Sequence, residues 1–242
     1  MIPVYRKILK KMAEDNKPMK YMRYAIGEIL LVIIGILIAV SINGWNEDRK
    51  LKKEEQSILK DLKQEMIVNL KALEGAIEKN ERSFQAALAM RDLFNDREAF
   101  NEMSDSMFYA LIEKLNFNRT YDPQNGILNS LISSGKINHL SDNELKYLLA
   151  SLKDLTIDAL ENTIKIEVQR DELMKSSWVN AMIIEDDKVQ GYNVKSLYDH
   201  PDFRWATNHL FYYIRKDGLG EENELKSTLE HIIELIDLNI EK

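Results

Sequence analysis

Residues 24–45 read YAIGEILLVIIGILIAVSINGW, and the only charged side chain in this run of 22 is Glu28. At about 1.5 Å per residue a helix of this length crosses a hydrocarbon core of roughly 30 Å. No later stretch is comparably long and apolar. The reading is a single-pass transmembrane helix at 24–45, a basic segment before it at 1–23, and a soluble domain after it at 46–242.

Orientation follows from the flanks. Arg6, Lys7, Lys10, Lys11, Lys17, Lys20 and Arg23 precede the run against only Glu14 and Asp15, whereas Arg49, Lys50, Lys52 and Lys53 after it are interleaved with Glu47, Asp48, Glu54 and Glu55. Basic flanks are retained on the cytoplasmic side. The expectation is therefore an N-terminus inside and a C-terminal domain outside. The competing reading is a cleaved signal peptide, for which Ala39 and Ser41 supply small residues. Against it stand the length of the run, Ile42 just past the cut, and the direct passage into a charged helical pattern.

Within the run, Glu28, Val32, Gly35, Ala39 and Asn43 fall on one helical stripe. Small residues four apart let two membrane helices approach closely. An ionisable group one turn inside the membrane also calls for a partner, and Tyr24 lies one turn before Glu28. The stripe is the candidate surface for self-association in the bilayer.

Beyond residue 45 the chain holds 26 Lys and Arg against 37 Asp and Glu. An excess of about eleven negative charges argues against a nucleic-acid partner, because counterion release needs clustered cations. The N-terminal IPVYRKILKKM mixes cations with Ile2, Val4, Ile8, Leu9 and Met12, which suits anionic cytoplasmic lipid. The chain has no cysteine, so disulfides, thiolate catalysis and cysteine metal sites are excluded. About 200 residues bury a core without covalent staples, so an oxidising compartment stays open.

The soluble part reads as all-α. Ile58, Leu59, Leu62, Met66, Leu70, Leu73, Ile77, Phe84 and Leu88 recur at three- and four-residue steps, the period of a long amphipathic helix that can continue from the apolar run. A second helix is expected over 97–115. Asp122-Pro123 reads as a helix start, with Gly135 as the stop. Ser141 to Glu144 reads as a capping box for a long helix toward Met174. The polar EDDKVQGYN, residues 185–193, interrupts. Pro201 opens a helix closed by Gly218 and Gly220, and a last helix spans 222–240. Short loops between such helices imply an antiparallel bundle.

YAIGEILLVIIGILIAVSINGWNEDRK at 24–50 and YDPQNGILNSLISSGKINHLSDNELKYLLASL at 121–152 resemble an uncharacterised family of small single-pass bacterial membrane proteins. Gly27-Glu28 before the apolar run and Asn43, Trp45 and Asn46 after it carry most of the likeness. The resemblance implies an N-terminal anchor in the inner membrane and a helical domain outside it. It supplies no catalytic residue.

Candidate chemistry is sparse. His200 between Asp199 and Asp202 has metal-ligand types, but carboxylates at a helix start ordinarily cap amides. His231 and Glu234 lie one turn apart without a second ligand pair nearby. Glu185, Asp186 and Asp187 lack the ligand spacing of a calcium loop. Trp178, Trp205, Tyr212 and Tyr213 are candidates for a ligand pocket or for core. No phosphate loop, nucleophile elbow or Cys-His pair is present. The expectation is a non-enzymatic protein with no cofactor and no metal site. It acts as a membrane-anchored interaction or scaffold protein of the bacterial envelope, with the lipid bilayer, an envelope protein and itself as partners. The alternative is a periplasmic sensor or small-ligand-binding bundle.

Overall fold

The computed structural model describes residues 18–240. The basic segment up to Lys17 lies outside the described residues, as do the side chains of Lys20, Arg23 and Tyr24, so the topogenic charges and the Tyr24–Glu28 pairing are not addressed by it. The chain divides into two compact units, 1–55 and 56–242.

One helix, α1 (Pro18–Phe94), supplies residues to both units. It lacks proline after Pro18, and its interior glycines are isolated, so no breaker interrupts it. In the first unit every side chain from residue 25 to residue 54 is exposed.

The second unit is a helical bundle. After α1 come α2 (Arg97–Glu102), α3 (Asp105–Leu115), α4 (Gly126–Ser133) and the long α5 (Asn143–Ala181). The expected helix over 97–115 is therefore two helices. Met103 is extended, and Asp96 and Ser104 cap the two pieces by accepting from the amides of Ala99 and Met107. The cap of α5 is Asp142, which accepts from Leu145 N at 3.0 Å, so the helix starts one residue later than the Ser141 reading.

Asp122-Pro123 does not open a helix. The segment between α3 and α4 has no regular secondary structure and is tied to α1 by side chains that bond its backbone. Asn80 accepts from Arg119 N at 2.9 Å and donates to Arg119 O at 3.1 Å. Asn69 grips Gln124 in the same way, at 2.8 Å in both directions. Asn125 gives α4 no side-chain cap. Instead Glu65 of α1 accepts from Ile127 N at 2.6 Å and Leu128 N at 2.9 Å, placing a carboxylate on the positive end of the α4 dipole. Gly135 follows α4 at φ 73°, the left-handed conformation expected of a helix stop.

The break at the polar 185–193 region is a small β-hairpin, the one two-stranded sheet among the described residues of an otherwise all-α fold. β1 (Met182–Glu185) pairs antiparallel with β2 (Lys188–Tyr192), Ile184 opposite Val189 and Glu185 opposite Lys188. Asp186 and Asp187 turn the corner at φ 50° and 59°, positive at both central positions as a tight two-residue hairpin turn requires.

After a 3₁₀ turn at Val194–Asp199, α6 (Pro201–Ala206) continues through a π-helical stretch, Thr207–Ile214, into α7 (Arg215–Ile240). Gly218 and Gly220 thus sit inside a helix and close nothing. Gly218 lets α7 pack closely on α5, since a Cβ there would lie 3.0 Å from the Cβ of Asn162, tighter than an ordinary contact. α7 runs antiparallel to α1, with Gln56 donating to Asn239 O at 2.8 Å and Lys226 paired to Glu74 at 3.0 Å.

Two apolar cores fill the bundle. One gathers Leu62, Met66 and Leu73 of α1 with Leu149 of α5 and Leu229 and Ile232 of α7. The other gathers Met90 of α1, Phe108, Ile166, Phe203 and Phe211.

Candidate functional site

In the first unit the site is a surface. Leu31 exposes 72% and Trp45 68% of its area, and none of the apolar window of α1 is buried against the chain. Glu28, Val32, Gly35, Ala39 and Asn43 are all exposed, at steps of four, three, four and four residues along one helical face. A Cβ at Gly35 would meet nothing within 4 Å, so the small-residue stripe has room for a second backbone. By length and composition this is a helix able to cross a membrane.

In the second unit, the apolar cores are separated by a polar layer that three helices and a loop build together. Asn80 and Ser83 of α1, Thr163 of α5, and Arg215 and Glu222 of α7 are all buried. They occupy core-facing steps of their helices, between Ala76 and Ala87 on α1 and between Leu160 and Ile166 on α5. The Thr163 hydroxyl links the two charges. It donates to Glu222 Oε1 at 2.7 Å and accepts from Arg215 at 3.1 Å. Asn80 adds a second bond to Glu222 Oε1 at 2.8 Å, and Arg215 also donates to Asn118 Oδ1 and to Phe117 O.

Among the described residues three buried side-chain atoms, Arg215 Nε, Glu222 Oε2 and Asn116 Oδ1, have no partner. Burial disfavours both charged forms. It lowers the Arg215 guanidinium to about 10 and raises the Glu222 carboxyl, against the opposing effect of bonds from Thr163 and Asn80 and of the Arg215 charge. None of these residues stands out as a candidate in the sequence. The available signal is polar side chains at positions where the helical period demands apolar ones.

The four histidines do not converge. His200 caps α6, its Nδ1 accepting from Asp202 N at 3.3 Å, and its Nε2 meets the Asn180 amide at 2.8 Å. Its neighbour Asp199 is taken by Arg97, which holds the carboxyl below its ordinary range through their hydrogen bond. His231 reaches Glu144 of α5 at 2.8 Å and Glu234 at 3.6 Å. Among the described residues no three His, Asp or Glu side chains come together to hold a metal ion. Glu185, Asp186 and Asp187 stand at the hairpin turn.

The aromatic candidates separate. Tyr212 stacks on Phe84 with ring centres 5.6 Å apart and lies under the Arg91 guanidinium at 3.6 Å. Trp205 leans on His209 at 4.3 Å. Trp178 meets Tyr192 of the hairpin edge-on at 5.5 Å and lines a groove of about 540 Å³ beside α5.

A family model described as a family of unknown function, DUF6090, matches residues 28–180. The match begins at Glu28 inside the apolar helix and ends at the close of α5, taking in the segment between α3 and α4 and its clamps on α1. No curated protein and no solved structure matches the chain. Since the matched stretch is well over half of the chain, the protein belongs to the DUF6090 family of unknown function.

Proposed function

We propose that this protein is a single-pass, membrane-anchored interaction or scaffold protein of a bacterial envelope, with residues 24–45 in the inner membrane, the N-terminus cytoplasmic and the bundle periplasmic. The observation that carries the reading is the uncovered apolar stretch of α1, where no residue of the apolar window is buried. Each large apolar side chain taken out of water is worth about 1.5–3 kcal/mol, so a helix of this composition left in solvent forgoes tens of kcal/mol. Lipid removes that cost on all faces at once. The basic residues before Tyr24 support the orientation. The stripe from Glu28 to Asn43 is the surface through which two anchors pair. The bundle works by binding an envelope protein and not by catalysis.

The test uses the full chain in cells of a Gram-negative host. The protein floats with vesicles and resists alkaline extraction, and protease added to spheroplasts digests the bundle while an N-terminal tag survives. Solubility without detergent, or digestion only from the cytosolic face, refutes the placement. Crosslinking in native membranes followed by pull-down through the bundle tests the interaction role, which a partner-free monomer removes. The groove beside Trp178 favours one second reading, a ligand-binding or sensory bundle, for which binding of a small molecule with no protein partner is the discriminating result.

A further inference from the structure

We propose that the polar layer is a seam, at which the half of the bundle built around Phe108 and Phe211 opens as one unit while the half built around Leu62 and Leu229 stays folded. The described chain passes between the two apolar cores four times, and each passage brings a polar side chain to the layer. On α1 the buried core residues stop at Ala76 and resume at Ala86, with Asn80 and Ser83 between them, and on α5 Thr163 stands between Leu160 and Ile166. From Leu115 to Tyr121 the chain passes through Asn118, and from Ile214 to Leu225 through Arg215 and Glu222. The four passages are bonded to one another. Asn118 donates to Thr163 O at 3.2 Å and accepts from Arg215, while Asn80 and Thr163 both donate to Glu222.

Water entering at this level costs less than it would elsewhere in the interior. An apolar layer parted by water loses its burial, whereas water admitted here rehydrates two enclosed charges. The closed layer is also under-bonded, because Arg215 Nε and Glu222 Oε2 lack partners although both side chains are fully buried. Buried polar atoms are ordinarily satisfied, and water supplies what these two lack.

Which half opens follows from its elements. Leu62 and Leu229 sit where the long α1, α5 and α7 pack together. Around Phe108 and Phe211, by contrast, α1 and α5 are covered by α2 and α6 of six residues each, α3 of eleven, a 3₁₀ turn of six and the π-helical stretch of eight. Helices shorter than about 12–15 residues are marginal alone, so these pieces depend on their shared core and are lost together. The π-helical stretch runs directly into Arg215, and such wide turns are rare and frequently mark functional positions. The inference concerns motion inside the second unit and does not depend on the membrane placement or the interaction role proposed above.

The chain has no cysteine, so single introduced thiols report opening without background. The experiment uses the full chain in phosphatidylcholine nanodiscs carrying one of Ala87→Cys, Ala206→Cys, Ala76→Cys or Ala159→Cys, all at buried positions. Labelling by a maleimide is timed in buffer and corrected for the reactivity of each thiol in the urea-unfolded chain. Positions 87 and 206 are expected to label at one common rate, at least tenfold faster than positions 76 and 159. Thr163→Val, which removes the hydroxyl joining the two charges, is expected to raise the first two rates severalfold and to leave the other two unchanged. Arg215→Met with Glu222→Leu makes the seam apolar and is expected to narrow the gap.

Four equal rates, or faster labelling at 76 and 159, make the proposal wrong. A tenfold difference between positions 87 and 206 overturns it as well, since the short elements would then open singly. So does a Thr163→Val chain in which all four rates rise alike or none changes, or an unchanged gap in the double variant. If the double variant does not fold, the Thr163→Val result decides alone.

Discussion

In the first unit Leu31 and Trp45 expose 72% and 68% of their area, whereas in the second Arg215 and Glu222 expose none. Side-chain type predicts the opposite in both places, and the difference lies in partners. Arg215 and Glu222 find Thr163, Asn80 and Asn118 within the chain, which satisfies all but one atom of each charged group. The apolar face of α1 finds nothing to cover it among the described residues. Burial in this protein follows the completeness of a residue's neighbourhood, and the incomplete neighbourhood marks where something else must come.

The sharpest way to break the comparison is to remove one buried charge. Glu222→Ala leaves Arg215 enclosed without its counter-charge, an expected loss of about 3–5 kcal/mol in urea denaturation of the full chain in nanodiscs. The double replacement Arg215→Met with Glu222→Leu is expected to lose clearly less, because it removes the desolvation cost together with the attraction. A double variant weaker than Glu222→Ala would mean that the layer itself stabilises the bundle.

Next in size is a charge placed where the first unit tolerates none. Leu37→Arg is expected to cost about 2.5–3.5 kcal/mol of insertion free energy, read as a fall in the membrane-inserted fraction. An unchanged fraction would mean that this face of α1 is not lipid-facing.

A matched pair of glycines gives a smaller contrast. Gly218→Val drives side-chain atoms into Asn162 and is expected to cost about 1–3 kcal/mol, while Gly35→Val meets open space and should leave bundle stability unchanged. If the stripe pairs two anchors, Gly35→Val instead lowers crosslinking between copies.

The smallest effect is a pH dependence. Hydrogen bonding to Glu144 raises His231 above its ordinary 6.5. Its contribution to stability is thus present in full below pH 6.5 and is lost as the pH rises through the raised value. His231→Gln should flatten this slope. The raised Glu222 acts in the same direction from a lower pH, starting near its ordinary 4.5, so a residual slope in His231→Gln belongs to the buried layer.

Much of the architecture is legible in the sequence because period and length carry it. The apolar run, the long α1 and the long α5 repeat a three- and four-residue step over many turns. Glycine misleads at Gly218 and Gly220, since the residue that ends a helix also lets two helices touch, and only the neighbour Asn162 distinguishes the two uses. The hairpin escapes because its strands are short and its turn is built from Asp-Asp, which tolerates positive φ without announcing it. Asp122-Pro123 has the composition of a helix start, yet clamps from α1 hold the backbone on either side of it and no helix forms there. The polar layer is assembled from helices far apart in sequence, so Asn80, Thr163, Arg215 and Glu222 each look like ordinary surface residues until their heptad positions are compared with the apolar ones around them. The groove beside Trp178 is hidden for the same reason, since Asn116 from the end of α3 joins residues of α5 along it.

The two asparagine clamps make α1 a ruler. Asn69 and Asn80 stand eleven residues apart, about 16 Å along a helix at about 1.5 Å per residue, and the peptides they grip are five residues apart, about 16 Å in an extended chain at about 3.3 Å per residue. Inserting one residue between Arg119 and Gln124 spoils that match and frees one grip. The amides of Arg119 and Gln124 have no secondary structure of their own to shield them, so their hydrogen exchange should keep the same clock as the helix that holds them.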